Sequence, residues 1–195
     1  MNLGDIAEIK TGLVLTRKKA MLDTQTQASY KLITLKNINE DGTFNGESFE
    51  IFQSNEPLEP RYFTAERDIL IRLSHPNTAV YVGEQQSGLL VPSYFAIVKV
   101  NQTKFLAEYI AWYLNTFEVK KELERSQAGS RIPSTNQNVL KTIPVLNTAF
   151  SKQKALIELL RLHRREIKLY EQLIKEKEQL FRGITEQVIN KEEQS

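Results

Sequence analysis

The sequence predicts an α+β protein in which a strand-rich globular body is followed by one long C-terminal coiled-coil helix. Two observations predict it. Apolar residues from Leu156 onward recur at Leu160, Ile167, Tyr170, Ile174, Phe181, Ile184 and Val188, in steps of four and three that keep one seam of a helix facing a partner. Before that stretch, short β-rich runs alternate with loops of Ser, His, Pro, Asn and Gln.

Leu3 to Ile9 forms a first apolar set, a short helix or a strand, that ends at Thr11-Gly12. Tyr30 to Lys36 and Ser48 to Phe52 alternate like paired strands, with a turn signal at Asp41-Gly42 between them. Asp68 to Leu73, Ala79 to Gly83 and Tyr94 to Val100 are three further strand candidates. Helical spacing begins at Phe105, continues through Tyr109, Ile110, Tyr113, Leu114 and Phe117, and extends into the Glu/Lys-rich segment to Arg125. Gln127 to Pro133 breaks it, and Ser134 with Gln137 suggests a capping box for a short helix through Leu140. Thr142 to Leu146 reads as a last strand, and Ser151 as the N-cap of the long helix.

That helix runs from about Ser151 to about Asn190, roughly 60 Å at its ordinary rise per residue, with Gly183 able to bend or fray its last turns. His163 and Lys177 interrupt the seam. Leu159, Leu162, Leu169, Leu173 and Leu180 widen the stripe beyond what a small body needs to cover, which predicts a second, antiparallel helix. The expected homodimer interface is Leu156, Leu160, His163, Ile167, Tyr170, Ile174 and Phe181. The expected division is a body over 1–148 and a dimerisation helix over 149–195.

A chain of 195 residues accommodates one ordinary domain and an appendage. The composition, 41% hydrophobic and 26% charged, is that of a folded soluble protein, and no apolar run is long enough to span a membrane. The first residues lack a secretory pattern and cysteine is absent, so a cytoplasmic protein without disulfides or thiolate metal sites is expected. The net charge of +2 is too mild to identify a nucleic-acid binder, although Arg161, Arg164, Arg165 and Lys168 load the first half of the long helix. Those four residues equally suit a solvated helix face.

Catalytic patterns are sparse. The sequence has no glycine-rich phosphate loop, dinucleotide fingerprint or Gly-x-Ser-x-Gly elbow. His75 and His163 stand in unrelated segments. Glu8-Ile-Lys10, Glu118-Val-Lys120 and Glu166-Ile-Lys168 match the tail of a nuclease motif, but none follows the Pro-Asp pair such a site needs. No two prolines are adjacent, which excludes the Asn/Asp-Pro-Pro-aromatic loop of an amino-methyltransferase. A non-catalytic protein with no cofactor and no metal is expected.

A recognition surface is the remaining chemistry. Arg17, Lys18 and Lys19 are candidates for phosphate contacts. Arg72, Ser74, His75 and Asn77 in one polar loop, and Arg131, Ser134, Asn136 and Gln137 in another, offer donors and acceptors to base edges. Each segment taken alone also suits a solvent-exposed turn.

The opening Leu3-Gly4-Asp5-Ile6-Ala7-Glu8-Ile9-Lys10-Thr11-Gly12, the middle Arg67-Asp68-Ile69-Leu70-Ile71 and the close Asn138-Val139-Leu140-Lys141-Thr142-Ile143-Pro144-Val145 before a Gln153-bearing helix carry a resemblance. In this order and spacing the chain resembles half of a DNA specificity (S) subunit of a type I restriction-modification system. It departs from that family at the step into the helix, where a second proline is missing from Val145 to Gln153. The resemblance implies a target recognition domain that reads part of a split double-stranded DNA site, followed by a spacer helix. It also implies docking to modification methyltransferase subunits and, where present, restriction subunits. With two identical halves, the target would be a bipartite palindrome. The competing readings are a coiled-coil interaction or assembly protein without DNA specificity and, second, an enzyme with a scattered active site.

Overall fold

A computed structural model describes residues 1–126 and 134–192. The first residues resolve the open choice at the N-terminus, since a single helical turn, α1 (Leu3–Ile6), runs directly into strand β1 (Ala7–Thr11). Asn2 and Asp5 close a capping box around that turn, with the Asn2 amide donating to the Asp5 carboxylate at 2.7 Å.

The central sheet has the order β1-β6-β4-β5 and is antiparallel throughout, with β4 at Asp68–Arg72, β5 at Ala79–Tyr81 and β6 at Phe95–Val100. In β4 and β6 the residues of both faces are buried, which is why they read as continuous apolar runs rather than alternating ones. Leu70, Val80, Phe95 and Ile97 join Ile33, Val82, Leu89 and Val91 in one core cluster. Helix α2 (Ala107–Leu114) packs against β4, β5 and β6, burying Tyr109, Ile110, Ala111 and Leu114. Each fully buried aliphatic side chain stabilises the fold by about 1.5–3 kcal/mol relative to exposure.

Strands β2 (Ala28–Leu32) and β3 (Glu50–Ser54) form a separate antiparallel pair. Leu32 and Phe52 carry it onto Leu13 and Leu90 in a second core, beside which the Tyr30 and Phe63 rings lie 5.0 Å apart. The first run is shorter than its alternation suggests, because Leu35–Asn37 coils into a 3₁₀ turn whose Thr34 backbone N–H donates to the Asn37 side chain at 2.8 Å. The turn at Asp41-Gly42, with Gly42 at φ 77°, closes a smaller loop inside the connection, where Ile38 bridges Phe44.

Four boundaries differ from those expected. The helical run from Phe105 is two helices, since α2 stops at Asn115 and α3 (Phe117–Ser126) restarts. The short helix α4 (Gln137–Thr142) is capped by Asn136, not Ser134. Its Oδ1 accepts from the backbone of Asn138 at 2.9 Å and Val139 at 3.1 Å, two of the donors a helix start leaves unpaired. Thr142 to Leu146 is not a strand. Thr142 ends α4, and the following residues pair singly with the N-terminus, through Leu3 N–H to the Ile143 carbonyl at 2.8 Å and Val145 N–H to that of Met1 at 2.9 Å. Finally, α5 begins at Phe150 and continues through Gly183 to Glu192.

The chain divides into two compact units, Met1–Gln153 and Lys154–Ser195. In the first, Gln153 is fully buried and its amide bonds Leu106, Lys104 and Thr148. The described residues of the second, as far as Glu192, are all helix. Ile167, Leu169, Tyr170, Leu173, Ile174, Leu180 and Phe181 on it are all exposed. No helix among the described residues is long and apolar enough to cross a membrane.

Candidate nucleic-acid interface

The site begins where β1 ends. Gly12 is buried against the Val91–Pro92 backbone, and a Cβ there would collide with both carbonyl oxygens, so only glycine lets the chain pass. Its N–H donates to Phe95 and that of Leu13 to Val91, fixing the start of the basic segment. Leu15–Arg17 then forms a 3₁₀ turn that leaves Arg17 exposed and Lys18 half-buried. Lys18 pairs with Glu56. The segment is tied to the end of β3 by Asn55 N–H to the Lys18 carbonyl at 3.0 Å and by a bridge between Lys19 and Ser54.

Facing Arg17 and Lys18 is a second 3₁₀ turn, Pro60–Tyr62, held by Val91 N–H donating to the Tyr62 carbonyl at 2.8 Å. The Arg61 guanidinium lies 4.7 Å from the centre of the Tyr62 ring and donates to Glu59 at 3.0 Å and to the Tyr62 hydroxyl at 2.9 Å. Together with Lys10, these residues and Gln137 line a cleft of about 390 Å³. Among the described residues its lining contains four cations and no carboxylate. Glu8, outside the lining, is 2.7 Å from Lys10, and the hydrogen bond from Lys10 holds its carboxyl below the ordinary carboxylate range. Arg17 makes no ion pair with another described residue.

The two polar loops meet. Ser74 forms an isolated antiparallel bridge with Ser134, and Thr135 N–H donates to the Leu73 carbonyl at 2.7 Å. Ser134 and Asn136 are exposed and Gln137 is half-buried, reaching the cleft. Arg72 donates from Nε to Ser74 at 2.9 Å, which orients the guanidinium along its own loop. His75 is exposed, with Nδ1 3.7 Å from Glu124. Asn77 has a different place from the surface position expected of it. It is buried with φ 51°, and its Nδ2 donates to the Arg72 carbonyl at 3.1 Å, bracing the loop from inside. Arg131 lies outside the described residues.

The expected contacts therefore fall into a connected chain: Arg17 and Lys18 share a cleft with Gln137, which follows Ser134, which bridges Ser74. Lys19 does not line the cleft. Arg61 is a lone cation with no local signal, and Lys10 stands out only within Glu8-Ile-Lys10 and the opening Leu3 to Gly12 run, neither of which marks it as a phosphate contact. On α5, Leu156 and Leu160 are half-buried, whereas His163, Ile167, Tyr170, Ile174 and Phe181 are exposed. Among the described residues no group of His, Cys, Asp and Glu could hold a metal.

No family model matches the sequence, and no curated protein matches it significantly. Solved structures do. A chain from work on complex assembly and conformational transition of the type I R-M system aligns with TM-score 0.63 at 13% identity, over 88% of this chain and 43% of that one. The HsdS subunit from Thermoanaerobacter tengcongensis aligns with TM-score 0.62 at 14% identity, over 86% and 43%. A type I restriction-modification S subunit from M. genitalium gives TM-score 0.50 at 14% identity, over 88% and 40%. The chain thus has the α+β fold of type I S subunits while spanning less than half the length of each of these chains. The aligned share exceeds the body alone, so it includes part of α5.

Proposed function

We propose that this chain is a DNA-specificity subunit of a type I restriction-modification system, a non-catalytic cytoplasmic protein whose body over 1–148 reads one half of a bipartite double-stranded site. The observation that carries this reading is the convergence of the basic segment and the two polar loops on one connected surface, in a fold shared with S subunits. Phosphate contacts from Arg17, Lys18 and Lys19 set register without sequence information. Side chains at the Ser74–Ser134 bridge, including Arg72, His75, Asn136 and Gln137, then approach base edges, and Arg131, outside the described residues, is a further proposed base contact. Buried Asn77 serves as the brace of that loop and not as a reader.

The helix over 149–195 supplies the assembly. Its exposed apolar stripe is larger than the scattered apolar residues of an ordinary surface and suits an antiparallel second copy. Methyltransferase subunits, and restriction subunits where present, then bind the DNA-reading dimer. The same stripe favours one other reading, a coiled-coil assembly protein whose body binds protein. Titration of duplex binding against salt separates the two. Phosphate neutralisation makes log affinity fall linearly with log salt, by about 0.9 per contact on B-DNA. A full-length chain that binds no duplex at low salt would leave the assembly reading in its place.

A further inference from the structure

The cleft at Lys10, Arg17, Lys18, Arg61, Tyr62 and Gln137 has a charge arrangement that neither the polar loops nor the basic run explains. Four cations drawn from three separate segments face one space of about 390 Å³, while the protein as a whole carries a net charge of only +2. Three of the four are held by carboxylates that do not line the cleft: Lys10 by Glu8, Lys18 by Glu56 and Arg61 by Glu59. Each carboxylate orients its cation and lowers the local field without entering the space. Arg61 is further fixed by Tyr62, through both its ring face and its hydroxyl. Such a space favours an anion with several acceptor oxygens, and Gln137 adds an amide that can donate to one of them.

We infer that this cleft binds a phosphodiester of the DNA backbone, with Lys10 and Arg61 as contacts additional to Arg17 and Lys18, and with Glu8, Glu56 and Glu59 moderating its strength. The inference rests on the body being a DNA reader and names where the backbone is gripped. Because Gln137 opens α4 directly after Ser134 and Asn136, a backbone held here would set the register at which the neighbouring loops meet base edges.

The test uses the full chain and a labelled random-sequence duplex, with affinity followed by fluorescence anisotropy from low to moderate salt. Lys10→Ala and Arg61→Ala should each flatten the salt slope by about 0.9, equivalent to about eightfold weaker binding at 0.1 M salt if only the counterion term is lost. Glu59→Gln should do the opposite and tighten binding several-fold, a gain that misfolding could not produce. Inorganic phosphate and a nucleoside monophosphate, added as competitors at micromolar concentration, should not displace the duplex. Unchanged affinity and slope in both cation variants, with wild-type binding intact, would overturn the cleft while leaving the DNA reader standing. Displacement by either small anion would overturn the backbone assignment in favour of a small-molecule site. If the wild-type chain binds no duplex, both readings fall together.

Discussion

The side-chain amide of Asn115 pairs with both backbone groups of Ala79, accepting from its N–H at 3.0 Å and donating to its carbonyl at 2.6 Å. Ala79 opens β5, one of the two edge strands of the central sheet, so one amide does there what a neighbouring strand would do. The same Nδ2 donates to the Ala111 carbonyl at 3.0 Å, and Gly42 approaches so closely that a Cβ would meet both Asn115 and Ala79. Asn115 is thus why α2 stops where it does.

Asn115→Ala should therefore destabilise the protein by about 2–4 kcal/mol, since it leaves the two Ala79 groups without partners in a part-buried setting. Asn115→Asp keeps the acceptor and loses the donor, and should fall between wild type and Ala. Urea unfolding checks the order, and a variant as stable as wild type would remove the assigned role.

Gln153 is the corresponding anchor for the first turn of α5. Its Oε1 accepts from Leu106 N–H at 2.9 Å, and its Nε2 donates to the carbonyls of Lys104 at 2.9 Å and Thr148 at 2.8 Å. Gln153→Leu fits the volume and abandons all three backbone groups, at a cost of about 1–3 kcal/mol for each one that water cannot reach. The midpoint of chemical unfolding should drop clearly for Gln153→Leu, and less for Gln153→Glu, which can still accept from Leu106. Equal midpoints for Leu and wild type would contradict this.

Asn136 carries two roles that substitution separates. Its Oδ1 caps α4, so Asn136→Ala should lose about 1 kcal/mol of stability and Asn136→Asp very little. If Asn136 also reads a base, Asp removes the amide donors and should alter site preference without altering the melting temperature. Selection of binding sites from a random duplex library by the Asp variant measures that second effect.

Local sequence made β4 and β6 legible because burial of both faces gives them continuous apolar runs, and it made α5 legible because its seam persists over many turns. It failed where a tertiary partner decides. Asn115 ends α2 through contacts 36 residues away in sequence, and the β-prone residues from Thr142 to Val145 are claimed by α4 and by the backbone of Met1 and Leu3. The same reason hid half of the cleft. Arg17 and Lys18 stand out as a basic run, whereas Lys10 and Arg61 acquire meaning only when β1 and the Pro60 turn are brought to the same space. Asn77 looked like a loop donor because nothing in its neighbours reveals that it is buried.

The stripe on α5 makes the last prediction. Ile167 and Ile174 are 44% and 58% exposed, and burying such a side chain is worth about 1.5–3 kcal/mol. A second antiparallel helix buries each twice by symmetry, so replacing both with glutamate introduces four charges into the interface of the proposed dimer. The wild-type chain should be dimeric at micromolar concentration and Ile167→Glu with Ile174→Glu monomeric, by light scattering; a monomeric wild type would end the homodimer proposal. Two identical bodies related by a two-fold axis read the same half-site in opposite orientations, so the methylated motif in cells carrying this protein and its methyltransferase should be an interrupted palindrome. The double variant should lose that motif, because a single body retains only one half-site. Sequencing that instead returns an asymmetric bipartite motif would mean that the working partner is a different half and not a second copy of this chain.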